Sequence, residues 1–204
     1  MKLYYAPGAC STGIHVTLEE IGRPFEAVHV SARDGSLYKP EFTAVNFKSK
    51  VPTLVLDDGS TLTEYPTIAM YLAKTNPAAG LLPTDVMGEI RTQEMLEYIC
   101  GTVHPQGFTR QFRPANFARD EADQPRVVAQ GKAMAEKYLG LIEANWAGAE
   151  WLLPGGYSVA DAALFFLEQW CGRAGITPPA RIAEHHRAML ARPAVQRALA
   201  TEAA

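Results

Sequence analysis

The chain has 204 residues, 48% of them hydrophobic and 20% charged, which suits one large or two small globular domains with a full core. Its formal net charge of −3 argues against general affinity for nucleic acid or an anionic membrane surface. No apolar run reaches the roughly 18 residues that a membrane-spanning helix needs.

In chain order, residues 2–5 read as a short strand that runs into Pro7-Gly8. A helix follows over 11–21, with Ile14, Leu18 and Ile21 at helical spacing and Gly22 as its stop. Residues 25–30 alternate as a half-buried strand, so the first thirty residues form a βαβ unit with a parallel pair. Residues 31–39 read as loop, and 40–46 as a short helix opened by Pro40. Residues 51–56 and 61–63 flank Asp57-Asp58-Gly59-Ser60, the clearest hairpin signal in the chain. Glu64-Tyr65-Pro66 opens a helix that Asn76-Pro77 ends.

Beyond this point the pattern is helical throughout. Residues 85–112 predict one long helix that Pro105 must kink or interrupt. Residues 123–146 predict a second, with Met134, Tyr138, Leu141 and Ile142 as its apolar stripe. Ser158-Val159-Ala160-Asp161 is a helix-start capping pattern ahead of an apolar run, which marks a helix buried in a bundle. Two short helices, each opened by a proline, finish the chain. The predicted order is β-α-β-α-β-β-α over residues 1–76, a linker over 77–84, and an all-helical domain over 85–204.

Cys10 falls at the start of the first predicted helix. Unpaired N–H groups and a partial positive charge there favour an anion, so its thiol is expected to ionise more readily than the usual value near 8.5. Taken alone, Cys10 reads either as a thiol-chemistry site or as a small buried apolar residue. Cys100 and Cys171 read as packing residues. Three sparse cysteines and a chain that begins directly with a strand lead to the expectation of a reducing, cytoplasmic location. His185 and His186 are adjacent and point apart, His15 and His29 lack a spaced partner, and no metal-ligand or phosphate-loop spacing is present.

Four marks in order extend the reading: Tyr4-Tyr5-x-Pro7-Gly8-Ala9-Cys10-Ser11, Ala44-Val45-Asn46-x-Lys48-x-x-Val51-Pro52, Asp57-Asp58-Gly59-x-x-Leu62-Thr63-Glu64, and Ser158-Val159-Ala160-Asp161-Ala162. Together they resemble the cytosolic glutathione transferases, and Cys10-Ser11 resembles their bacterial beta class. The resemblance spans the whole chain. It implies an α/β thioredoxin-like domain followed by an all-helical bundle, glutathione as co-substrate, no metal, an apolar electrophilic small molecule as second substrate, and a homodimer.

The resemblance also implies site residues. Val51 precedes a cis proline at Pro52, and its backbone N–H and C=O are expected to be free to pair with an extended tripeptide. Glu64 and Tyr65 sit at a helix start that suits the γ-glutamyl carboxylate. Tyr65 departs from the family's short residue, so its ring either crowds the pocket or acts as a longer donor. Arg33 and Lys39 flank the position where a lysine would meet the glycine carboxylate. Glu97 and Thr102 line the far side, Glu97 towards glutathione bound to the partner subunit. His104 faces Cys10, to supply a proton or stabilise a thiolate.

The expected reaction is attack of glutathione thiolate on an electrophilic carbon, with Ser11 or Cys10 activating the sulfur. Two alternatives stand beside it: glutathione-dependent thiol–disulfide exchange through Cys10, and a non-catalytic binding protein whose pocket Tyr65 has altered.

Overall fold

The computed structural model describes residues 1–203. It opens with β1 (Lys2–Tyr5), α1 (Ser11–Ile21), β2 (Glu26–His29), a 3₁₀ turn (Ser36–Tyr38), α2 (Pro40–Thr43), β3 (Thr53–Val55), β4 (Thr61–Thr63) and α3 (Tyr65–Thr75). The strands form one sheet in the order β2-β1-β3-β4. β1 runs parallel to β2 and antiparallel to β3, and Leu3 lies opposite both Ala27 and Leu54. Leu3 and Leu54 are fully buried, so the inward face of the pleat sets this register. Gly22 closes α1 in the left-handed region, its N–H bonding the Leu18 carbonyl at 3.1 Å. Gly59 supplies the positive φ of the β3–β4 turn.

The remainder is helical. α4 (Val86–Glu97) runs without a break into a π-helical stretch (Tyr98–Thr109) and then α5 (Arg110–Phe112). After two 3₁₀ turns come α6 (Gln124–Ala144), α7 (Val159–Arg173), α8 (Ala180–Ala191) and α9 (Pro193–Ala203). Pro105 therefore does not break the long helix. The wider π register lets the chain pass a residue that lacks an N–H and crowds the preceding turn.

The apolar stripe of α6 also differs from the expected one. Gly131, Ala135, Leu139 and Ile142 are buried, whereas Leu141 is 44% exposed. Small residues choose the face: a Cβ at Gly131 would come within 2.7 Å of the Gly107 carbonyl oxygen, so α6 lies almost against the π-helical stretch.

α7 is the helix buried in the bundle. Its start is closed by Ser158, whose hydroxyl accepts from the Ala160 N–H at 3.2 Å, and by Asp161, whose carboxylate accepts from the Ser158 N–H at 2.8 Å. The other Asp161 oxygen accepts from the Leu152 N–H at 2.8 Å and meets His185 Nε2 at 3.1 Å. His185 Nδ1 meets Glu168 at 2.7 Å. Burial alone would lower the His185 pKa, but the two carboxylates override it and raise it to about 9. Burial raises Glu168 to about 7, against the pull of His185.

α1 is the meeting point of the two halves. It packs on β1 and α3 on one side and on α7 and α9 on the other. Every residue from Ser11 to Leu18 is buried as a result.

Candidate active site

The loop from β1 to α1 carries Cys10, and the helical half grips it. Gly8 takes a φ of +65°, which favours glycine. Its N–H donates to Glu202 of α9 at 3.2 Å, and its carbonyl accepts from Trp170 Nε1 of α7 at 2.8 Å. The same Glu202 carboxylate accepts from the Thr12 hydroxyl at 2.8 Å and pairs with His15 at 3.1 Å, with its own side chain only 4% exposed. The sequence concealed this link, because His15 and Glu202 lie 187 positions apart.

Cys10 caps the start of α1 and is half-buried. Its thiol donates to the Val51 carbonyl at 3.4 Å. The Val51–Pro52 peptide is cis. The carbonyl expected to be free is therefore already engaged by the thiol. The expected easy ionisation of Cys10 is corrected as well. Burial pushes its thiol up to about 12, and the Cys10 and Ser11 backbone N–H groups and the Lys50 ammonium, which pull the other way, do not offset it. The field of the helix start is real, but desolvation exceeds it.

Ser11 is fully buried, and its hydroxyl is spent inside the loop. It accepts from the Ala6 N–H at 3.1 Å and donates to the Ala6 carbonyl at 3.3 Å. In this arrangement Ser11 shapes the loop and offers nothing to a bound sulfur.

Glu64 precedes α3 with a φ of +69°, a left-handed conformation that costs a non-glycine residue on the order of 1–3 kcal/mol. Its carboxylate meets Lys48 Nζ at 2.6 Å in an exposed ion pair. No side chain caps the start of α3. Tyr65 turns inward: it is 5% exposed, stacks on Phe166 of α7 at 5.4 Å, and its hydroxyl has no hydrogen-bond partner. A Cβ at Gly13 would run into that hydroxyl and into the Ala162 carbonyl oxygen. Gly13 thus makes room for the ring, which is buried against α1 and α7.

In the helical half, the π-helical stretch carries Cys100, Thr102 and His104. His104 packs edge-on against Trp170 at 4.8 Å and Phe166 at 5.7 Å. Burial, helped by the Lys50 charge, lowers its pKa to about 4. The imidazole is therefore neutral at pH 7 and cannot serve as the cation for a thiolate. Thr102 is half-buried and Glu97, at the end of α4, is exposed. Arg33 and Lys39 are both exposed. The cation whose charge acts on both Cys10 and His104 is instead Lys50, beside Val51, which the sequence analysis did not single out. Burial also raises the Tyr65 phenol and the Cys100 thiol well above their ordinary values. The site at neutral pH thus has two protonated thiols, a neutral imidazole and one nearby ammonium.

An α3 start without a side-chain cap, a cis-proline turn and a thiol at the Val51 carbonyl stand together in the α/β half. Residues 8–75 match the model of the family described as the glutathione S-transferase N-terminal domain. Over 206 aligned residues, 99% of this chain and 98% of its relative, the sequence is 37% identical to glutathione S-transferase GstA of Escherichia coli O157:H7. The fold matches a bacterial beta class glutathione S-transferase of Sphingomonas chungbukensis at a TM-score of 0.87 and 32% identity, covering 99% of this chain and 98% of the other. It matches a glutathione transferase homologue of Sulfitobacter, solved with bound glutathione, at a TM-score of 0.92 and 27% identity, covering 98% and 97%. The chain belongs to the glutathione S-transferase family. Its structural relatives include the bacterial beta class.

Proposed function

We propose that this chain transfers glutathione to electrophilic carbon, binding the tripeptide along the Val51–Pro52 edge with its sulfur at the start of α1. The observation that carries the reading is the 3.4 Å contact between the Cys10 thiol and the Val51 carbonyl. It supports the reading because the Cys10 thiol lies at the Val51 backbone, on which an extended peptide would pair. When glutathione claims the Val51 backbone, the Cys10 S–H is released and can donate to the glutathione sulfur. A thiol pushed up to about 12 suits a donor that stabilises another group's thiolate better than a nucleophile of its own. The uncapped N–H groups at the start of α3 receive the γ-glutamyl carboxylate, and the Tyr65 phenol takes no part. The ammonium of Lys50 favours negative charge on the bound sulfur. Glu64, Glu97, Thr102 and His104 complete the walls, with His104 as a neutral hydrogen-bonding group. The electrophile lies against Phe112, the half-buried edge of the aromatic cluster whose interior is Phe108 and Trp170.

The working unit we propose is a homodimer. Phe47 is 86% exposed, and Val86, Met87 and Ile90 of α4 are 73%, 55% and 50% exposed, surface that a second copy would cover. A light-scattering mass near twice 22.3 kDa is expected, and a mass near 22.3 kDa would contradict it. Three free thiols fit a reducing compartment such as the cytoplasm.

The transferase reading is tested by calorimetry with glutathione up to millimolar concentration and by a conjugation assay on wild type and Cys10→Ala. Binding, and conjugation that persists at a reduced rate in Cys10→Ala, are expected. Absent binding overturns the reading. Disulfide reduction that vanishes in Cys10→Ala, without any conjugation by wild type, would favour exchange instead.

A further inference from the structure

The segment between α2 and β3 carries the Val51 edge, and one buried side chain ties it together. Asn46 is 1% exposed. Its Nδ2 donates to the Lys50 carbonyl at 2.9 Å and to the Thr53 hydroxyl oxygen at 2.8 Å. The Thr53 hydroxyl donates to the same Lys50 carbonyl at 2.8 Å, which closes a triangle whose corners flank Val51 and Pro52 on both sides. Asn46 Oδ1 accepts from the Lys48 N–H at 3.1 Å. A carbonyl can only accept and a backbone N–H can only donate, so these partners fix which way the amide points. Thr53 is fully buried and pairs with Thr63 of β4, which anchors the triangle in the sheet.

The same segment reaches the start of α3. Ser49 has a φ of +51°, and its N–H donates to the Asn46 carbonyl at 3.0 Å. A non-glycine residue keeps such a conformation only where its surroundings over-determine it. Ser49 and Glu64 are the two non-glycine residues at positive φ among the described residues, and Lys48 connects them. Its N–H is held by Asn46, and its Nζ donates to the Thr63 hydroxyl at 2.9 Å and to the Glu64 carboxylate at 2.6 Å. An asparagine that only filled a loop would have no cause to bond on both sides of Val51–Pro52 and, through Lys48, to reach Glu64.

We propose that Asn46 is a positioning residue for glutathione: it holds the Val51 edge and the start of α3 at a fixed spacing, so that the tripeptide meets a preformed site. The inference rests on the transferase reading, which puts the peptide along Val51 and its γ-glutamyl carboxylate at the start of α3. Asn46 is buried and acts on the peptide only through others. Lys50 and Thr53 carry its effect to Val51, and Lys48 carries it to Glu64. A site ordered before the ligand arrives loses less binding free energy to ordering the loop, so removal of Asn46 should appear in affinity.

The test measures the glutathione Kd by calorimetry and the thermal midpoint for wild type, Asn46→Ala, Thr53→Val, Thr53→Ser and His185→Gln. Asn46→Ala should raise the Kd about tenfold, the size of one net hydrogen bond. Thr53→Val removes the hydroxyl corner of the triangle and should raise the Kd about threefold. Thr53→Ser restores that hydroxyl and should bind as wild type does. His185→Gln disturbs the helical half, far from this loop in the fold, and should lower the midpoint without changing the Kd. An unchanged Kd in Asn46→Ala, or an equal rise in His185→Gln, overturns the inference while leaving the transferase reading intact. Should Asn46→Ala fail to fold, Thr53→Val decides, and a wild-type Kd in that variant overturns the inference. Absent glutathione binding by wild type overturns the transferase reading and the inference with it.

Discussion

The start of α7 and the starts of α1 and α3 are built in opposite ways. At α7 the first N–H groups meet Ser158 and Asp161, and Asp161 is in turn bound to Leu152 and His185. At α1 and α3 no side chain caps the first turn, and the residue before α3 sits at positive φ. A helix start always leaves N–H groups to satisfy. Where the protein satisfies them itself, the end is scaffold. Where no side chain does so, backbone carbonyls take the N–H groups of Thr12 and Gly13 at α1, and the start of α3 is the better placed to receive an anion. The contrast separates residues that hold this fold from those proposed to bind.

The largest effect should come from opening the closed start. Asp161→Ala strands the Ser158 and Leu152 N–H groups and removes one of the two carboxylates beside the buried His185. A loss of about 3–5 kcal/mol is expected in urea unfolding, because two buried N–H groups lose their acceptor and His185 keeps Glu168 alone as its partner. A loss under about 1 kcal/mol would show that the network adds little.

Next comes Gly13→Ala, which places a methyl group against the Tyr65 hydroxyl and the Ala162 carbonyl oxygen. Overpacking of this kind costs about 1–3 kcal/mol. Adding Tyr65→Ser should recover part of it, since one of the two clashing groups is then gone. Costs that simply add in the double variant would deny the coupling.

A smaller effect is the pH dependence that the closed network imposes. His185 and Glu168 both have raised values in the folded protein, so the folded state holds protons more tightly than the unfolded chain. Their contribution is complete below the ordinary carboxyl and imidazole values. It declines as pH rises through about 7 for Glu168 and about 9 for His185. Thermal midpoints should therefore fall between pH 6 and pH 9.5, and less steeply in His185→Gln. An unchanged slope in that variant would assign the pH dependence elsewhere.

The smallest effect should be Tyr65→Phe. The hydroxyl is buried without a partner, so its removal should leave stability unchanged or slightly raised, and KM for glutathione unchanged. A marked rise in KM would mean that the phenol turns out to meet the ligand.

Much of the fold was legible because its signals are local. Gly22 stops α1, Asp58-Gly59 turns the hairpin, and Ser158 with Asp161 opens α7, each within a few residues. The misses involve contacts across the chain. The face of α6 follows Gly131 and Ala135, chosen by the helix they touch rather than by hydrophobicity. The cis Val51–Pro52 turn follows from the family motifs. The protonation states do not, because a helix start alone says nothing of how much protein covers it. Ser11 looked available by position and is spent on Ala6. The clamp of Glu202 on Gly8 depends on α9 folding back over the first loop, which no spacing encodes.

The account turns on Cys10 being a protonated donor at the start of α1. Its rate of alkylation by iodoacetamide, followed across pH by mass mapping of the Cys10 peptide apart from those of Cys100 and Cys171, tests this most directly. A slow rate at pH 7 that is still rising about tenfold per pH unit beyond pH 9 is expected. A fast rate that has already levelled off below pH 8 would mean a resident thiolate and would contradict the account.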